Sequence, residues 1–326
     1  MRPDSTPHLL IPLAACSAEG WLPTLESLPP DRFKRLGQLL QGMKLVQTDT
    51  RDAESLSPPH ERALAGALGL AAPDTLDGLL PWAASEAMEG LQAGPDKAWA
   101  WITPCHWAMG HLHATLSDPA LLDLREDESR RLLALMQPYF ETDGITLHFQ
   151  TPGRWLAEGE LFRGLPTASI DRVLARNVDA WLPDTKSAAP LRRLQNEMQM
   201  LLYTHPFNDE RETRRQLPVN SFWISGTGAL PAPAMPSGQG PQVSVPRSLA
   251  EAVFREDWAG YAQAWATLEA GDIAAMLARQ RAGESVRLTL CGDSSAKTFE
   301  THRAGLWNKI SSLFSPLRTL DVLKQL

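Results

Sequence analysis

The densest run of groups able to hold an anion lies at residues 193–228, RLQNEMQMLLYTHPFNDERETRRQLPVNSFWISGTG. It carries Asn196, His205, Asn208, Arg211, Arg214 and Asn220. Amide, imidazole and guanidinium donors bind phosphate or carboxylate through charge-assisted hydrogen bonds. The run closes on Gly226-Thr227-Gly228, and small residues after a strand let a ligand or another backbone come close. Taken alone, a Gly-x-Gly is a weak signal, and the arginines also suit a solvated helix face. A second group is Cys105-His106 with His111 and His113 just behind, a set that fits zinc or a nucleophile pair. No fourth ligand is obvious, and neighbours on a strand point to opposite faces. A buried cysteine beside partly exposed histidines at a domain junction accounts for the same residues.

The first run resembles the cofactor-independent phosphoglycerate mutases of the archaeal type. Those enzymes carry a helix with an Asn-Glu pair, then His-Pro-x-Asn-x-x-Arg, then Pro-x-Asn before an apolar strand ending in Gly-x-Gly. The matching residues are Asn196-Glu197, His205-Pro206, Asn208, Arg211, Pro218, Asn220, Gly226 and Gly228. Upstream, DESRRLLALMQPYFETDGITLHFQTPGRWL resembles the inserted domain of the same enzymes, and the resemblance makes Arg154 the substrate-side arginine. It also places His106 near the substrate cleft. The likeness is closest to the RpfE-type regulatory proteins of proteobacteria and covers residues 98–228, with poor continuation into the flanks.

The resemblance implies the alkaline phosphatase superfamily, with two divalent metals and a serine that becomes phosphorylated. Two metals that clamp the attacking and leaving oxygens need about six or seven ligands. The sequence departs from that pattern. The first strand, LLIPLAA, ends without the expected carboxylate. The nearest match to the nucleophile turn is Ser57-Pro58-Pro59-His60-Glu61, so an active enzyme would use Ser57 as nucleophile and His60 as a ligand. The late strand reads LTLCGDSSAKTF, which keeps Asp293 but has Ser294 where a histidine is expected. Asp293 equally fits a turn or helix-capping carboxylate.

The elements that would position these groups follow from periodicity. Residues 8–15 read as a buried first strand, and residues 31–46 as a helix. Residues 60–70, 125–140 and 190–203 read as helices, and residues 249–282 as helical with a break near Gly271. Strands are expected at 99–103, 113–116, 145–150, 155–162 and 286–291. Strands alternating with helices argue for α/β with a mainly parallel sheet. With the resemblance, the expected fold is a shortened alkaline-phosphatase-like core plus a smaller α+β insert. The core would comprise residues 1–97 and 171–326, the insert residues 98–170. The Pro/Gly/Ala/Ser-rich stretch at about 229–246 reads as a mobile or trimmed loop.

The chain has 326 residues and a net charge of −7, which opposes nucleic acid and anionic lipid as partners. No apolar run is long enough for a membrane span. Three widely spaced cysteines fit a reducing cytosol rather than a disulfide framework, so a cytoplasmic location is expected. Eleven tryptophans against three tyrosines read as core and interface fillers; a stacking platform would sit poorly with the acidic balance.

The expected function is that of a degenerate phosphoglycerate-mutase-like protein that binds a small phosphorylated metabolite in a regulatory role. Arg154, Asn208, Arg211 and Asn220 would hold the anion, with Asn196, His205 and His106 around it. No cofactor is expected for that role. An active mutase or phosphatase would need manganese or zinc, held by His60 and Asp293 among others. The third alternative is a protein-interaction scaffold.

Overall fold

The structure is a computed structural model that describes residues 6–29, 31–72, 74–110, 113–183, 188–230, 242–302 and 319–326. Its strands are β1 (His8–Ile11), β2 (Met43–Thr50), β3 (Ala98–Cys105), β4 (Trp107–Met109), β5 (Ala114–Leu116), β6 (Thr146–Thr151), β7 (Arg154–Glu158), β8 (Ser221–Ala229), β9 (Val243–Ser244), β10 (Arg287–Cys291) and β11 (Ser295–Thr301). The helices that matter below are α1 (Lys34–Gln41), α2 (Pro59–Ala67), α3 (Trp82–Leu91), α4 (Glu126–Glu141), α5 (Ala189–Tyr203), α6 (Pro206–Thr213), α7 (Trp258–Ala270) and α8 (Asp272–Arg281). The chain forms two compact units. The first comprises Met1–Glu54, Pro58–Gly69 and Gln239–Leu326; the second comprises Ser55–Ser57 and Leu70–Gly238.

The sheets are mixed and mostly antiparallel, which overturns the expectation of a mainly parallel sheet. In the first unit the order is β2-β11-β10-β1-β9. Among the described residues its parallel pairs are β1–β10 and β1–β9; β10–β11 and β11–β2 are antiparallel. In the second unit β6-β7-β3-β8 is antiparallel throughout, and β4 and β5 form a separate antiparallel pair. A parallel pair needs a long crossover, whereas a tight turn forces antiparallel neighbours. The Gly292 N–H reaches the Ser295 carbonyl at 2.8 Å, so β10 folds straight back as β11. The helix expected over residues 31–46 stops at Gln41, and the chain re-enters the sheet as β2. The sequence reading missed both β2 and β11, and both antiparallel pairings of this sheet are made by β11.

In the first unit Leu9, Ile11, Leu288 and Leu290 pack into a core with Leu36 and Leu39 of α1, Tyr261 and Trp265 of α7, and Ile273 and Leu277 of α8. Leu10, Cys291 and Ala296 lie in a smaller cluster with Ala63 and Leu64 of α2. Burial of β1 and β10 on both faces explains their near-continuous apolar runs.

In the second unit alternate residues of β3 divide between two clusters, as the two-residue period of a strand requires. Ala98, Ala100 and Ile102 meet Leu132 and Met136 of α4 and Leu191, Leu194 and Met198 of α5. Trp99 and Trp101 instead meet Ala83, Ala84 and Ala87 of α3. Trp99, Trp155, Trp223 and Trp265 are fully buried, so they fill cores rather than present stacking faces. The stretch about 229–246 falls mostly on 231–241, outside the described residues; of its ends, Ala229 closes β8 and Val243–Ser244 pair with β1.

Candidate functional site

Most of the anion-binding candidates in the 193–228 run bond to this chain's own backbone. Asn208, buried on α6, donates from Nδ2 to the Leu202 and Val219 carbonyls, both at 2.8 Å. Its Oδ1 accepts the Val219 N–H at 3.0 Å. One amide thereby ties the end of α5 to the approach to β8. Arg211 is completely buried. Its Nε donates to the Leu217 carbonyl at 2.9 Å, Nη1 to Glu128 at 3.4 Å, and Nη2 to the Leu122 carbonyl. Arg214 binds the other Glu128 oxygen. Burial pulls the Arg211 pKa below the ordinary arginine value, and the Glu128 carboxylate opposes that shift.

His205 caps α6 through Nδ1, which accepts the Phe207 N–H at 3.1 Å. Asn220 copies a backbone pairing: Oδ1 takes the Trp107 N–H at 2.7 Å and Nδ2 donates to the Trp107 carbonyl at 2.9 Å. His106 Nδ1 donates to the Pro218 carbonyl at 2.9 Å, which leaves Nε2 with the lone pair in the neutral ring. Cys105 beside it is fully buried, and burial raises its thiol well above the ordinary cysteine range. That environment suits neither zinc-bound thiolate nor a nucleophile. His111 lies outside the described residues, and His113 is exposed.

Gly226 and Gly228 have φ values of +65° and +138°. A Cβ on Gly226 would stand 2.8 Å from the Trp101 ring, and one on Gly228 would stand 3.2 Å from Pro81. Packing of β8 against Trp101 and the start of α3 therefore accounts for the Gly-x-Gly. Arg154 lies on that side of the sheet. Its Nη2 donates to both Glu86 oxygens, at 3.2 and 3.0 Å, and its guanidinium lies over the Trp101 ring, 4.4 Å from the centroid. The Trp101 indole donates to the same Glu86 at 2.7 Å.

Asn196 stands elsewhere. It lines a cleft of about 450 Å³ in the second unit, bordered by Arg192, Gln195 and Gln199 of α5 and by Trp107, His113 and Asp179. The cleft joins Asn196 and His113 but is not lined by Arg154, His205, Asn208, Arg211 or Asn220. Arg192, Gln195 and Gln199 were not among the sequence candidates, although Arg192, Asn196 and Gln199, spaced by four and then three residues, fall on one helix face.

The residues implied in catalysis fall into both units. Ser57 belongs to the second, is buried, and its Oγ accepts the Gly78 N–H at 3.0 Å. Asp77 holds the Leu56 and Ser57 amides at 2.6 and 3.0 Å. His60 and Glu61 open α2 in the first unit, with His60 buried and Arg62 paired to Asp49 at 2.6 Å. Asp293 follows β10 and accepts the Ser17 N–H at 2.5 Å. Beyond β1 the backbone turns at Leu13 with φ +48°, and the Ala14 N–H reaches the Cys291 carbonyl at 2.8 Å. Tyr261 Oη takes the Trp21 indole N–H at 3.1 Å and presents its proton to the Leu13 and Ala14 carbonyls at 3.0 and 2.9 Å. Burial raises the Tyr261 pKa, so the phenol stays a donor. Cys16, just beyond, is pushed up to about 11 by burial.

No protein-family model matches the chain, and no curated protein matches it. Among solved structures it is similar to the PH0037 protein of Pyrococcus horikoshii, at 12% identity and a TM-score of 0.45, over 91% of this chain and 87% of that one. It is also similar to a cofactor-independent phosphoglycerate mutase of Thermoplasma acidophilum DSM 1728, at 13% identity and a TM-score of 0.37, over 98% and 99%. Both likenesses are remote, and neither bears on the narrower resemblance to RpfE-type proteins.

Proposed function

We propose that this chain is a degenerate phosphoglycerate-mutase-like protein that binds a small phosphorylated metabolite in a regulatory role. The observation that carries this reading is the cleft along α5. Arg192, Asn196, Gln199 and His113 supply guanidinium, amide and imidazole groups to one open space of about 450 Å³, a size that suits a small metabolite. The motif likeness at 193–228 supplies the chemical class of the ligand. Asn220 holds Trp107, one wall of that cleft, by two hydrogen bonds. Arg154, His205, Asn208, Arg211 and His106 make the structural bonds described above and do not line it.

The donor set argues against two-metal turnover. The backbone beyond β1 reads Leu13-Ala14-Ala15, and Tyr261 takes up its carbonyls. Asp49 is paired with Arg62, and Asp293 holds the Ser17 amide. His60 and Glu61 are ligand types for a single divalent ion such as manganese or zinc, short of the about six or seven ligands that a pair requires. Ser57, buried and bonded to the Gly78 amide, is not presented to a substrate.

Thermal unfolding in EDTA, with and without 3-phosphoglycerate, and again with manganese, tests the reading. Ligand at about 100 times its dissociation constant adds roughly 2.7 kcal/mol, a rise of a few degrees. The expected result is a shift with 3-phosphoglycerate in EDTA. A shift that requires manganese would favour the enzyme, and no shift with either would favour the scaffold.

A further inference from the structure

β2 is the long edge of the first unit's sheet, hydrogen-bonded to β11 on one side. Residues 44–48 are all exposed, with Leu45 at 50% and Val46 at 41%. An eight-residue edge with aliphatic side chains in water is a template for another strand.

The register indicates which strand. Leu45 pairs with Phe299 and Gln47 with Thr298, so Val46 is an extra residue, a bulge. In a regular strand Lys44 and Asp49, five residues apart, would point to opposite faces. The bulge re-phases them: they stand opposite Glu300 and Ala296, an even step apart, and so share a face. Two copies of β2 running antiparallel about a two-fold axis through Gln47 then bring Lys44 of each copy opposite Asp49 of the other. Leu45 meets Thr48, and Gln47 meets its own copy. Moving the axis to Leu45 sets Lys44 against Gln47, and moving it to Thr48 sets Lys44 against Arg51, so neither neighbouring register pairs opposite charges. Asp49, paired with Arg62 at 2.6 Å and with Arg51 at 3.9 Å, keeps a 25% exposed side chain, which leaves it accessible to the partner's lysine.

We propose that the β2 edge is a homodimer interface that joins two five-stranded sheets edge to edge, antiparallel about Gln47. A foreign extended chain also fits an edge that has no second neighbour among the described residues, but the two-fold charge match is specific to a second copy of this strand.

Sedimentation velocity of the full chain from roughly 1 to 100 µM, the range expected of a small interface, tests this. The wild type should pass from monomer to dimer across the range, less readily at high salt. Lys44→Glu sets like charges opposite each other twice, and should raise the dissociation constant about tenfold or more. Leu45→Lys should do the same. Both residues are exposed, so thermal unfolding of the dilute variants should match the wild type and show that the fold is intact. A monomer throughout, or a dimer indifferent to both substitutions, would overturn the proposal.

Discussion

Asn208 shows what a polar residue in this chain does. Its side chain makes three hydrogen bonds, all buried and all to backbone. Asn208→Ala would leave the Val219 amide and two carbonyls without partners, at a cost of about 2–3 kcal/mol. Urea unfolding should show that loss as a lower midpoint with an unchanged slope, while ligand affinity per folded molecule is retained. If Asn208→Ala instead abolished binding and kept full stability, the residue would belong to the ligand. The type of residue was legible in the sequence and its task was not. Asparagine and arginine bond a phosphate and a carbonyl with the same donors. What separates the tasks is burial, and Arg211, with none of its surface exposed, acquires that from contacts nearly ninety residues away, at Leu122 and Glu128.

At the scale of elements, the helices with a strong apolar stripe were legible: α4 and α5 run within a residue or two of their expected limits. β3, β6, β7, β8 and β10 were also foreseen as apolar or alternating segments. β2 and β11 were not: β2 buries none of its residues, and β11 buries Ser295, Ala296 and Phe299 without a two-residue period. Leu45 and Val46 extended the apparent stripe of α1 past Gly42, where the backbone in fact turns. The same limit applies to Gly226, whose spacing with Gly228 looked like a ligand loop. Its φ of +65° and the Trp101 ring 2.8 Å from a would-be Cβ make it a packing glycine. Gly226→Ala should cost about 2 kcal/mol through left-handed strain and overpacking, visible as a lower melting temperature. A neutral substitution would return this strand end to consideration as a binding loop.

For the whole molecule, two units each carry part of the residue set that the family likeness implies. Ser57 sits in the second, and His60 and Asp293 in the first. No helix among the described residues is long and apolar enough to cross a membrane. A net charge of −7 places any anion site in a repulsive overall field, so a bound phosphate depends on local donors. Arg192, Asn196, Gln199 and His113 are such a set, gathered by one face of α5 and the loop after β4.

The most direct measurement is calorimetric titration of 3-phosphoglycerate, in EDTA, into the wild type, Arg192→Ala, Asn196→Ala and Ser57→Ala. The account predicts saturable binding without metal. Affinity should fall about tenfold or more in Arg192→Ala, as loss of a hydrogen bond to a charged group requires, less in Asn196→Ala, and not at all in Ser57→Ala. Binding that appeared only with manganese and vanished in Ser57→Ala would contradict it.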